Sequence, residues 1–109
     1  MLESLEKMLA QGIDNALLRF GLGKGYLDAG EFARAAQHFR RCVEFDPNYS
    51  AAWKLLGKAL LEQGNRPGAE QAWQKGIAAA QGHGDKQAEK EMTVFLKRLQ
   101  REQSPPDGT

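Results

Sequence analysis

The chain repeats itself at a spacing of 34 residues, and this self-similarity constrains its fold more than any other feature. Shifted by that spacing, Leu22 falls on Leu56, Gly23 on Gly57, Lys24 on Lys58 and Leu27 on Leu61. Gly30 then falls on Gly64, Ala35 on Ala69, Gln37 on Gln71 and Phe39 on Trp73. Arg41 falls on Lys75, Cys42 on Gly76 and Val43 on Ile77. A period in this range marks stacked supersecondary units, none of which can bury its apolar face alone.

The units read as helical. Apolar residues recur at helical spacing, strict alternation is absent, and β-branched residues are few (Ile13, Val43, Ile77, Thr93, Val94 and Thr109), which disfavours strands. The breakers Gly12, Gly30, Asp46-Pro47, Gly64-Asn65 and Gly82-His83-Gly84 predict six helices, at 2–11, 14–29, 31–45, 49–63, 66–80 and 85–102. Asp14, Asn48, Asn65 and Asp85 stand where N-caps are expected, and Pro67 is tolerated in a first turn. Short connections make neighbouring helices antiparallel. A mid-helix glycine costs about 1 kcal/mol relative to alanine, so Gly23 and Gly57 are expected where helices approach closely. Ala35 and Ala69 are small for the same reason, and Phe39 and Trp73 are expected to fill the space between one hairpin and the next. At 109 residues the chain is one domain, over 1–103. It divides into a flanking helix at 1–12, units at 16–49 and 50–83, and a closing helix at 85–103, with 104–109 an unpacked, disordered tail.

The two units resemble tetratricopeptide repeats (TPR), whose pattern places W, L, G, Y, A, F, A and P at set offsets. The first unit carries Leu22, Gly23, Tyr26, Ala35, Phe39 and Pro47, with Arg19 at the W position and Cys42 in the second small slot. The second carries Trp53, Leu56, Gly57, Ala69 and Trp73, with Leu60 for Y, Gly76 for the small residue and Gln81 in place of proline. The closing helix lacks the signature, with Lys90 and Glu91 at the L and G positions, but keeps one apolar stripe, Ala88, Met92, Phe95 and Leu99. It looks like the solvating helix that follows tandem repeats in this family. Leu2, Leu5 and Leu9 give the first helix an apolar side that covers the opposite end. The implied fold is all-α, an α-solenoid of stacked helical hairpins.

The resemblance also implies a concave surface lined by the first helix of each pair. The family's groove offsets fall on Leu17, Phe20, Lys24, Leu27 and Asp28, and on Ala51, Lys54, Lys58, Leu61 and Glu62. Lys24, Lys54 and Lys58 beside Phe20 would suit a peptide with acidic side chains or a terminal carboxylate. Some family members grip a C-terminal carboxylate with a lysine–asparagine clamp. Phe20 and Lys24 occupy those positions here, so that ligand class is not implied. The expected function is a non-catalytic protein–protein interaction module or adaptor, and the alternative is a self-associating homodimer.

Other chemistries find little support. Lys plus Arg is 15 and Asp plus Glu is 14, which disfavours a nucleic-acid binder. Lys97, Arg98 and Arg101 form a small basic cluster, but Glu91 and Glu102 dilute it, and it reads as a solvated face. Gly21-Leu22-Gly23-Lys24-Gly25 lacks the P-loop spacing. The lone cysteine, Cys42, has no histidine near it in sequence, and His38 and His83 stand far apart, so neither catalysis nor a metal is expected. Hence no cofactor is expected. The acidic N-terminus and the lack of a membrane-length apolar run point to the cytoplasm, with no membrane partner, and fit a bacterial source.

Overall fold

The computed structural model describes residues 1–103. Among them are six helices: α1 (Leu2–Ala10), α2 (Ala16–Asp28), α3 (Phe32–Phe45), α4 (Ser50–Glu62), α5 (Arg66–His83) and α6 (Lys86–Gln103). The expected tail at 104–109 lies outside the described residues. No described helix is long and apolar enough to cross a membrane. Each helix packs on the next in sequence, while α2, α4 and α6 also meet along one side of the stack. The result is an elongated body of 56 × 30 × 18 Å.

Local chemistry sets the turns. Gly30 and Gly64 end α2 and α4 at φ 77° and 80°. That left-handed conformation lets the next residue's N–H return to the helix, Glu31 to the Tyr26 carbonyl at 2.8 Å and Asn65 to that of Leu60 at 2.9 Å. Gly84 closes α5 in the same way, so α5 runs through Gly82 to His83, past the end expected at 80. The helix α3 stops instead at Asp46, held extended ahead of Pro47.

Two of the four expected caps form. The Asn65 side chain accepts from the Gly68 N–H at 3.0 Å, and Asp85 from that of Ala88 at 3.1 Å. Asp14 does not cap α2, because Arg19 takes both of its carboxylate oxygens, at 2.7 and 2.9 Å. Asn15 caps instead, accepting from Leu18 N–H at 2.8 Å. Asn48 does not cap α4, whose first residue is Ser50. Its own N–H is held by the Asp46 carboxylate in a two-residue turn.

The core explains the repeated glycines. A Cβ on Gly57 would collide with the Trp73 indole, and one on Gly23 would lie 2.5 Å from the Phe39 ring. Each aromatic therefore packs onto the glycine of its own hairpin, rather than lying only between hairpins. Leu22, Ala35, Phe39, Leu56, Ala69 and Trp73 are buried, while Tyr26 and Trp53 are half-buried and Pro47 is exposed. Full burial of a side chain such as Phe39 contributes about 1.5–3 kcal/mol. The Trp73 indole N–H is satisfied by the Lys54 carbonyl at 3.0 Å. Met92 of α6 seats its sulfur over Gly76, which locks the closing helix to the second hairpin.

Candidate peptide-binding groove

Because α2, α4 and α6 run side by side, they present one continuous face. Where α4 meets α6, side chains pair in register. The Lys54 ammonium lies 3.0 Å from Glu91 Oε1. One turn further on, the Lys58 ammonium stands 4.7 Å from the centre of the Phe95 ring, a cation–π contact. Beyond that pair the helices frame an open cleft of about 270 Å³. Leu61, Trp73, Phe95 and Leu99 form its apolar surface, and Lys58, Glu62, Arg98 and Glu102 rim it. Glu102 is occupied by Arg66 at 2.9 Å.

On α2, Leu17 is 72% exposed. Phe20 is half-buried, stacked on Tyr49 at 4.9 Å and tilted against Phe39 at 5.9 Å. Leu27 packs against the core. The three expected lysines occupy three different settings. Lys54 is neutralised by Glu91 and Lys58 faces the cleft, while Lys24 borders a separate hollow with Leu2, Leu5 and Asp28. Phe95, Arg98 and Leu99 join the site without having been assigned to it. Their helical spacing was readable, but the placement of α6 beside α4 was not.

The helix α1 lies on α2 and its backbone approaches no other helix. Leu5 and Leu2 rest on Gly21 and Gly25, positions where a Cβ would crowd them. A polar network ties this end together. The Tyr26 hydroxyl donates to Glu6 at 3.0 Å, which raises the Tyr26 pKa. Arg19 Nη1 donates to His38 Nδ1 at 3.1 Å, and the His38 ring stacks on Tyr26 with centroids 5.4 Å apart. Burial and the Arg19 charge hold His38 below the usual histidine range, so its neutral form is favoured. Burial also pushes the Cys42 thiol up to about 11, the opposite of what a nucleophile needs. Among the described residues no group of three or more His, Cys, Asp or Glu side chains gathers as metal ligands would.

The profile of the tetratricopeptide repeat family matches residues 26–89. The chain is 70% identical over 101 residues to a TPR repeat-containing protein of Pseudomonas aeruginosa, aligning 93% of this chain with 96% of that one. It is 36% identical over 73 residues to the heat-shock protein cognate co-chaperone sgt12 of Aspergillus fumigatus, covering 67% of this chain but 21% of that protein. Among solved structures, a Bordetella parapertussis protein superposes with a TM-score of 0.81 at 58% identity, over 94% of this chain and 89% of that one. The Sgt2 TPR domain from Aspergillus fumigatus superposes with a TM-score of 0.72 at 25% identity, over 99% and 74% respectively.

Proposed function

The chain belongs to the tetratricopeptide repeat family, and from that premise we propose that it is a protein-interaction module whose concave face holds an extended segment of a partner polypeptide. The observation that carries this reading is the open cleft between α4 and α6, where the half-buried Phe95 ring and Leu61 stand over a floor of buried Trp73 and Leu99. Such a surface suits one apolar side chain of the segment. Lys58 and Arg98 at the rim would meet a neighbouring carboxylate, and Glu62 between them would disfavour a run of acidic residues. Lys24, Phe20, Leu17 and Leu27 would carry the segment onward along α2, with Leu17 as a second apolar contact. Lys54 serves the wall itself, because its charge is spent on Glu91. A protein partner also accords with the name of the relative sgt12, a co-chaperone.

The test is capture of partners from a cell extract on the immobilised chain, beside a Leu17→Glu/Lys58→Glu/Arg98→Glu variant checked by circular dichroism for retained helix. A polypeptide held by the unaltered chain and lost by the variant is the expected result. Equal retention by both removes the groove from the mechanism. No captured polypeptide, with the chain sedimenting as a dimer, favours self-association.

A further inference from the structure

The closing helix sorts its charges. Its core-facing side consists of the buried Ala88, Met92 and Leu99 and the half-buried Phe95. Diametrically opposite stand Lys86, Lys90, Lys97 and Arg101, within an arc of about 60° and along roughly 22 Å of helix. Each of the three carboxylates of α6 has a partner outside these four cations. Glu91 pairs with Lys54, Glu102 with Arg66, and Glu89 accepts from the Gln81 amide at 3.0 Å. Read from sequence, Glu91 and Glu102 dilute a basic cluster; in the fold both face the preceding helices. Among the described residues no carboxylate pairs with any of the four cations. Residues 1–85 contain as many carboxylates as cations, so the positive excess of the described chain resides on α6.

An apolar point sits within the stripe. Val94 is 47% exposed, and with Lys86, Glu89, Lys90, Thr93 and Lys97 it lines a shallow hollow, in which Glu89 is the one carboxylate and is held by Gln81. The Thr93 hydroxyl is turned back onto the Glu89 carbonyl at 2.7 Å. Among the described residues, α6 packs only on α5 and α4.

We propose that the outward face of α6 is a second docking surface, which seats an acidic amphipathic helix of a partner protein as one more layer of the stack. Four spaced cations around a single aliphatic side chain match a helix with carboxylates on one stripe and an apolar residue at its centre. The spacing i, i+4, i+11, i+15 is palindromic, so either helix direction can satisfy it. A nucleic acid would find no aromatic on this stripe for base stacking. A bilayer would find one valine instead of an apolar face.

The test uses the full chain, labelled with nitrogen-15, and a designed helical peptide of about 20 residues. The peptide carries Glu at i, i+4, i+11 and i+15 with Leu at i+8, and a scrambled peptide of equal composition is the control. The expected result is amide shifts confined to residues 86–101, weakened by salt, with the patterned peptide bound about tenfold tighter than the scrambled one. A Lys86→Glu/Lys90→Glu/Lys97→Glu/Arg101→Glu variant, altered only at exposed positions, should lose binding and keep its helical spectrum. The Lys58→Glu/Arg98→Glu variant should still bind, which separates this surface from the groove. Equal affinity for the two peptides, shifts in the groove instead, or no shift at about 1 mM peptide would overturn the proposal. So would a preference for a short RNA duplex or for phosphatidylserine vesicles, abolished by the same four reversals.

Discussion

At the scale of single residues, the structure turns on what small side chains make room for. Gly57 admits the Trp73 indole, so Gly57→Ala is expected to cost about 1–3 kcal/mol through overpacking. At Gly82 a Cβ would meet nothing within 4 Å. Gly82→Ala should therefore stabilise by about 0.5–1 kcal/mol, and thermal melts of the two variants should move in opposite directions. The repeat made these glycines legible as sites of close approach; that the aromatic of the same hairpin lies on them was not, because 34-residue periodicity carries no depth. Cys42, buried with its pKa raised to about 11, should resist iodoacetamide at neutral pH and react fully only in denaturant. His38 supplies a pH dependence. Its folded pKa lies below the unfolded value near 6.5, so the unfolded chain binds the extra proton. Its contribution is fully present above that value and is lost as pH falls from about 6.5 toward the folded pKa. Urea midpoints at about pH 7.5 and 5.5 should fall more steeply for the unaltered chain than for His38→Gln. The lowered pKa of Asp14 acts only below 3.8, outside that window.

At the scale of helices, termini decide. Asp85 accepts from the Ala88 N–H with one carboxylate oxygen and from the buried Ser50 hydroxyl, at 2.6 Å, with the other. It thus joins the start of α6 to the start of α4. Asp85→Ala is expected to cost about 1–2 kcal/mol, more than Asn65→Ala, which removes a cap alone. Chemical denaturation of both variants checks the order. Asn65 and Asp85 were readable because an N-cap is a local signal. Asp14 and Asn48 carry the same signal and fail, since Arg19 outcompetes one and the turn at Asp46-Pro47 displaces the other. The apolar stripe of α6 was equally legible, although the repeat signature lapses at Lys90 and Glu91. Which helices its other side chains reach depends on the path of the chain, and so the cleft beneath Lys58 was hidden.

At the scale of the whole molecule, the fold was legible because each helix contacts mainly its neighbours in sequence, so local repetition dictates global form. The Cα radius of gyration is 14.8 Å, against about 13 Å for a compact domain of this length. Stability should be graded along such a stack. The helix α1 has no buried residue, and it rests on α2 with Glu6 reaching His38 of α3. Its amides are expected to exchange with solvent far faster than those of α4 and α5, as hydrogen-exchange rates would register. The same one-directional packing has a mechanical consequence. With α1 and α6 out of contact, the body is a short spring whose bending is taken up at the seams between successive layers. A segment lying from α2 to α6 then acts as a tie across that spring, and stiffens the whole length by gripping one side of it.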